Sequence, residues 1–161
     1  MTTLAVTGHM DLTPDSVPLV RAALDQLLAE HAGPDLVGMS CIAAGSDSLF
    51  AEAVLAAGGR LVVVVPSRDY RERKVKPDHA EQFDRLLAAA DEVLVMDHDT
   101  AGRAAYEDAN ARMLQADRLV AVWDGSPPGP KGAGTADVVL AARQGGVPVD
   151  VVWPAGARRR A

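Results

Sequence analysis

The residues best suited to chemistry lie late in the chain, in the run Gly132-Ala133-Gly134-Thr135-Ala136-Asp137. They come after an apolar, strand-like segment, Leu119 to Trp123, and a glycine-proline crossing from Gly125 to Lys131. A glycine-rich passage from strand to helix leaves backbone N–H groups unpaired at a positive helix end, which suits an anion such as phosphate. Thr135 adds a hydroxyl, and Gly132 and Gly134 let the backbone come close to a ligand. The expected chemistry is therefore binding of a phosphorylated small molecule.

Proton transfer needs a titratable group near such a ligand. The candidates are Asp47, Asp137 and His9. Each also has a structural reading: Asp47 as a first-turn acid that favours the helix dipole, and His9 as a hydrogen-bonding residue of the framework. Asn110 can both donate and accept hydrogen bonds to a ligand if its helix face turns that way. Asp97-His98-Asp99-Thr100 resembles a metal cluster, but the residues are consecutive and no second group stands at ligand spacing. No metal and no cofactor is expected. Cys41 has no disulfide partner and sits in an apolar run, so it reads as a buried small residue.

The elements that must position these groups can be read from periodicity. Strands are expected at Thr3–Thr7, Leu36–Ile42, Leu61–Val65, Glu92–Met96, Leu119–Trp123 and Val147–Val152. Helices are expected from Thr13-Pro14 to Gly33-Pro34, from Ser46 to Gly58-Gly59, over Ala80–Ala90, from Asp99 or Thr100 to Ala116, and over Thr135–Arg143. Ser67–His79 is mixed in charge without a clear period and reads as a loop. Six strands alternating with five helices imply an α/β, Rossmann-like three-layer sandwich: a mostly parallel sheet with helices on both faces.

In such a sheet the ligand sits beyond the carboxyl ends of the strands, where strand order reverses. The loops there are Thr7-Gly8-His9, Ala44-Gly45-Ser46-Asp47, Pro66-Ser67-Arg68 and Gly125 through Thr135. The predicted ligand-binding set is Gly8, His9, Gly45, Ser46, Asp47, Asn110, Gly125, Gly132, Gly134 and Thr135. Neither GxGxxG nor GxxxxGK[ST] occurs, which argues against an ordinary dinucleotide or P-loop site.

The 161 residues fit one domain, read as 1–154 with a basic tail, 155–161, whose Arg158-Arg159-Arg160 is expected to be a solvated terminus. A net charge of -6 and an aromatic content of 4% disfavour a nucleic-acid surface, which needs basic grooves and stacking rings. No signal-like or membrane-length apolar run is present, so a cytoplasmic protein is expected. Ala- and Leu-rich helix faces would also suit a homo-oligomer.

The set VTGH at Val6–His9, AAGSD at Ala43–Asp47, ADRLVAVWDG at Ala116–Gly125 and GAGTAD at Gly132–Asp137 resembles the SLOG superfamily, named for the DprA-like and LOG proteins. The resemblance implies a Rossmann-like domain that binds or senses a nucleotide or nucleotide-derived ligand, with phosphate on the glycine-threonine turn. It also implies that Gly8, Gly45, Asp47, Gly132, Gly134 and Thr135 line the site. The LOG branch cleaves the N-glycosidic bond of nucleoside monophosphates with an arginine and a glutamate. Here the arginine's place falls near Asp108 and the glutamate's at Val138, and a valine moves no proton. Ligand binding is the leading expectation, LOG-like hydrolysis the alternative, and single-stranded DNA binding the least favoured.

Overall fold

The computed structural model describes residues 1–161. In chain order the elements are β1 (Thr2–Gly8), α1 (Ser16–Ala29), β2 (Leu36–Ser40), α2 (Ser46–Ala56), β3 (Arg60–Val65), α3 (Tyr70–Lys74), α4 (Pro77–Ala89), β4 (Glu92–Val95), α5 (Arg103–Met113), β5 (Arg118–Val122), α6 (Thr135–Gln144) and β6 (Val149–Val152). The strands form one sheet in the order β4-β3-β2-β1-β5-β6, and every pairing is parallel. The Rossmann-like sandwich is thus the observed architecture, its sheet parallel throughout.

Uninterrupted apolar runs become the inner strands because both their faces are covered. Leu119 to Val122 of β5 and Leu61, Val63 and Val64 of β3 are buried, whereas edge strand β4 leaves Val93 and Val95 exposed. Val20, Leu24 and Leu28 recur every fourth residue on the buried face of α1. Helix α2 packs against both α1 and α4, α5 lies on β3, and α6 lies on β1, β5 and β6. Right-handed crossovers place α1, α2 and α4 on one face of the sheet and α5 and α6 on the other. From β1 the chain steps outward through β2, β3 and β4, then returns to the far side of β1 for β5 and β6. Strand order therefore reverses between β1 and β5, where Gly8 stands opposite Val122.

Three expectations need correction. Ser67–His79 holds α3 and the first turn of α4 rather than only a loop. Five residues are too few to show a helical period, and of α3 only Tyr70 is buried. Pro77 opens α4, where its fixed φ and missing N–H are tolerated. Second, the expected helix starts are displaced. Helix α1 begins at Ser16 because Thr13 turns inward, its carbonyl accepting the Ser16 N–H at 2.9 Å and its hydroxyl lying 2.6 Å from the Ser16 hydroxyl. Helix α5 begins at Arg103 with Gly102 before it, since Asp99 is held instead by Arg68 at 2.8 Å. Third, the C-terminal arginines are exposed but their backbone is not free. Arg159 bridges Leu12 antiparallel, Arg158 C=O accepts the Thr13 N–H at 3.0 Å, and the Arg160 N–H donates to Asp11 C=O at 2.7 Å. The last residues thus strap the loop beyond β1.

Candidate functional site

At the reversal point the first two loops are built into one another. Ser46 donates both its hydroxyl, at 2.7 Å, and its amide, at 3.2 Å, to the carbonyl of His9. A Cβ on Gly8 would stand 2.5 Å from Ser46 Cβ and 2.8 Å from Val122 Cβ. A Cβ on Gly45, at φ +81°, would meet the carbonyls of Met10 and His9 at 2.8 and 2.9 Å. These small residues are required by the contact between the loops themselves. Ser46 is wholly buried, and its hydroxyl is engaged inside the protein.

His9, at the end of β1, is buried and places Nε2 3.0 Å from Asp124 Oδ1, just beyond β5. The same nitrogen lies 3.1 Å from the Asp124 amide nitrogen. Without a proton Nε2 accepts the Asp124 N–H; with one it donates to the carboxylate in a charge-assisted bond. The ring also meets Trp153 edge-on, with centroids 5.7 Å apart. Burial would raise the Asp124 pKa, but hydrogen bonds from Ser126 and His9, and the charge of His9, hold it down at about 2. Arg159 bonds Asp11 at 2.9 Å and lies 3.7 Å from Asp124, so the tail closes a chain of charges across β1 and β5.

The glycine-threonine turn comes next. Gly132 (φ +68°) and Ala133 (φ +57°) are both left-handed, the pairing of a type I′ turn, which a non-glycine residue adopts at a cost. Thr135 then opens α6, and its hydroxyl makes no hydrogen bond within the protein. Val138 N–H is the first amide of the helix to bond back, to Gly134 C=O at 3.1 Å, so the amides of Thr135, Ala136 and Asp137 have no backbone partner. The Gly134 N–H is occupied: it donates to the Asp137 carboxylate at 3.0 Å. Against this turn lies Arg103, the first residue of α5, whose Nη2 stands 2.9 Å from where a Gly132 Cβ would be. Arg103 is exposed and also pairs with Glu107 at 3.0 Å. The loop between is anchored at its start by Trp123 Nε1–H donating to Ser126 C=O at 3.0 Å, and Gly125 (φ +85°) faces open space.

Over the β2 and β3 ends lies a second group of side chains. Ile42, a branched residue at φ +47°, is held there by His79 Nε2, 2.9 Å from its carbonyl, and by Ser40 Oγ, which accepts its N–H at 3.0 Å. This turn carries Cys41 on one side and Asp47 on the other. Burial pushes the Asp47 carboxyl up to about 7 against the opposing effect of the Ala43 amide. Burial likewise pushes the Cys41 thiol up, with a further contribution from the Asp47 charge. The Tyr70 phenol is raised by burial and then by Cys41, Asp47 and Tyr106. Tyr70 meets Tyr106 edge-on at 6.4 Å between centroids. The charges of Cys41 and Asp47 thus bear on Tyr70, and no cation acts on Asp47.

Of the predicted residues, Gly8, His9, Gly45, Ser46 and Asp47 stand together on the β1 and β2 loops, and Gly125, Gly132, Gly134 and Thr135 on the β5 loop. Asn110 is half-buried on α5, seven residues or about 10 Å along the axis from Arg103 and away from these loops. Asp137 caps α6. Val138 is buried against the sheet, and Asp108 pairs with His98 at 2.5 Å. No three His, Cys, Asp or Glu side chains converge to hold a metal. Sequence reasoning missed Arg103, Asp124, Arg159, Tyr70 and Tyr106. Asp124 alone carried a local signal, as the residue just beyond a buried strand; the others arrive through long-range packing.

No family model matches the chain, and no curated protein does. Solved structures do. DNA processing protein A (DprA) from Streptococcus pneumoniae superposes on 97% of this chain with a TM-score of 0.69 at 15% identity. The chain spans about half of that protein, 52% of its length. DprA from Helicobacter pylori, described for its single-stranded DNA binding mode, gives 0.66 at 16% identity over 98% of this chain and 68% of its own. The Moco carrier protein from Chlamydomonas reinhardtii gives 0.59 at 21% identity over 94% and 75%. The class these likenesses define is one of fold: a Rossmann-like fold that this chain shares with DprA and the Moco carrier protein.

Proposed function

We propose that this protein binds a nucleotide or nucleotide-derived phosphorylated ligand at the carboxyl edge of its sheet. The observation that carries this reading is the meeting of the Arg103 guanidinium with the Gly132 turn at the start of α6, beside the free hydroxyl of Thr135. An arginine, unpaired helix amides and a hydroxyl are the ordinary components of a phosphate site. The Moco carrier protein, a ligand binder by its name, has a similar fold. Calorimetric titration with AMP, GMP, ADP-ribose and inorganic phosphate is the test: binding lost in Arg103→Ala supports the site, and no heat with any of them overturns it.

Hydrolysis of a nucleoside monophosphate is the alternative. It lacks an acid at Val138, so the base would have to be Asp47, Asp137 or His9. Free base released above the buffer rate, and abolished by Asp137→Asn or Asp47→Asn, is its signature. A second binding reading, single-stranded DNA, draws on the likeness to H. pylori DprA and on Arg158 and Arg160, exposed basic groups with no ion-pair partner. Retention of an oligonucleotide on a gel at physiological salt, lost in the Arg158→Ala/Arg160→Ala double variant, would favour it over the small ligand.

A further inference from the structure

We infer that the free edge of β6, together with the groove between that strand and α1, takes an extended peptide as an added strand, one that carries an apolar side chain two positions before a lysine or arginine.

The first observation is the unused backbone of β6. The strand ends the sheet, with β5 on one side and nothing on the other. Leu119 N–H donates to Pro148 C=O at 2.9 Å, in a register that sets Leu119 opposite Val149. Along a paired strand the groups that face the partner alternate with those that face away. Asp150 and Val152 therefore turn their N–H and C=O to β5, while those of Val149 and Val151 point away from the sheet edge. No loop and no side chain bonds to them. Val151 is also 47% exposed. Such an edge is a template for one more strand.

The second observation is the cavity beside it. A groove of about 630 Å³ lies between β6 and the later half of α1, within the size range of ligand sites. Helix α1 runs antiparallel to the strands, as a crossover helix does, so its last residues stand beside the start of β5 and β6. The groove thus has two different ends. Towards the end of β6 it is lined by Ala23, Leu27, Val152 and the ring of Trp153; at the other end stand Glu30, Arg118 and Asp150. Asp150 holds the Arg118 guanidinium through two bonds of 2.8 Å. Glu30 forms no ion pair, so two carboxylates face one arginine and the polar end is short of one positive charge.

That charge and the apolar end together define the occupant. An added strand sends every second side chain into the groove. In the antiparallel sense it runs from the Trp153 end to the Glu30 end, so the cation follows the apolar residue by two positions. Pro148 and Pro154 bound the strand and keep the pairing short.

The test is fluorescence anisotropy of a fluorescein-labelled, capped peptide, Thr-Val-Thr-Val-Thr-Lys-Thr, titrated with the whole protein at pH 8, where an imidazole ordinarily carries little charge. Saturable binding is expected, about tenfold weaker when glutamate replaces the lysine. Glu30→Gln should weaken the lysine peptide about threefold and narrow that difference. Val151→Pro removes an outward N–H and spares the ladder to β5, so it should abolish binding with the melting temperature nearly unchanged. If Val151→Pro does not fold, two peptides N-methylated at alternate residues decide: one set should lose binding and the other keep it. No saturable binding, equal binding of the lysine and glutamate peptides, or equal tolerance of both methylation patterns overturns the inference. A dimer in sedimentation velocity that is lost in Val151→Pro gives the edge to a second copy of the chain and overturns it too.

Discussion

The Asp137 carboxylate accepts the Gly134 N–H at 3.0 Å, so the first turn of α6 already holds a negative charge where an anion is expected. The helix end is capped from within, and an incoming phosphate must share it with Asp137 or displace it. Replacing Asp137 with Ala should therefore tighten inorganic phosphate binding several-fold while lowering stability by about 1 kcal/mol, the usual effect of losing a cap. Calorimetry and urea denaturation read the two effects separately. Unchanged phosphate affinity would place the anion elsewhere.

Arg103 and Gly132 form a second pair with opposite expectations. Arg103 is exposed at the helix start, so Arg103→Ala should leave the melting temperature nearly unchanged and weaken phosphate binding about tenfold, the effect of one charge-assisted contact. Gly132→Ala adds a Cβ 2.9 Å from the guanidinium at φ +68°. It should cost about 1–2 kcal/mol of stability and weaken binding as well, because the arginine has to move.

Gly8→Ala tests the interlocking of the β1 and β2 loops. The new methyl would stand 2.5 Å from Ser46 Cβ, against the backbone-anchored start of α2 rather than a flexible chain end. A loss of about 1–3 kcal/mol is expected in urea denaturation. A neutral effect would mean that the loops separate easily.

Two carboxyls give opposite pH signatures. Asp47 has its folded pKa raised from 3.8 to about 7, so folding disfavours its charge. Its unfavourable contribution begins above the unfolded pKa and grows until pH reaches about 7. Asp47→Asn should accordingly stabilise the protein at pH 8 and leave it unaltered at pH 3. Asp124 has its folded pKa lowered from 3.8 to about 2. Its stabilisation is fully present above the unfolded pKa and lost as pH falls from about 4 to 2. At about 1.4 kcal/mol per unit, reduced by nearby solvent, Asp124→Asn should remove about 1–2 kcal/mol at pH 7 and flatten the acid limb. Melting temperatures across pH 2–9 measure both.

Much of the fold is legible in the sequence because its signals are local. Leu61–Val65 and Leu119–Val122 are apolar without a break, as strands covered on both faces must be, and glycines punctuate their ends. Tyr70–Lys74 is not legible, because a five-residue helix with one buried side chain has no period to read. The site divides in the same way. Gly132–Thr135 and Asp47 stand out because each lies at a helix start just past the carboxyl end of a strand. Arg103 gives no sign, since only the packing of α5 brings it against a turn some thirty positions later. The two tyrosines likewise meet through α3 and α5, which no spacing connects. The glycines at 8 and 45 read as necessary from the sequence, but their neighbours turn out to be each other's loops.

The sheet order has a consequence for how the protein is made. Of the six strands β1 is made before the others and occupies the middle of the sheet, yet its partner on one side, β5, lies 114 residues further along, as in the bond from Thr3 N–H to Asp117. The nascent chain can pair β1 with β2, β3 and β4 early, with one long flank of β1 left open. Only when the last third emerges do His9 and Asp124 meet, and the Gly132 turn arrives later still. Binding competence should thus appear late and abruptly during synthesis, and a chain stalled before Arg118 would expose the unpaired edge of its own central strand.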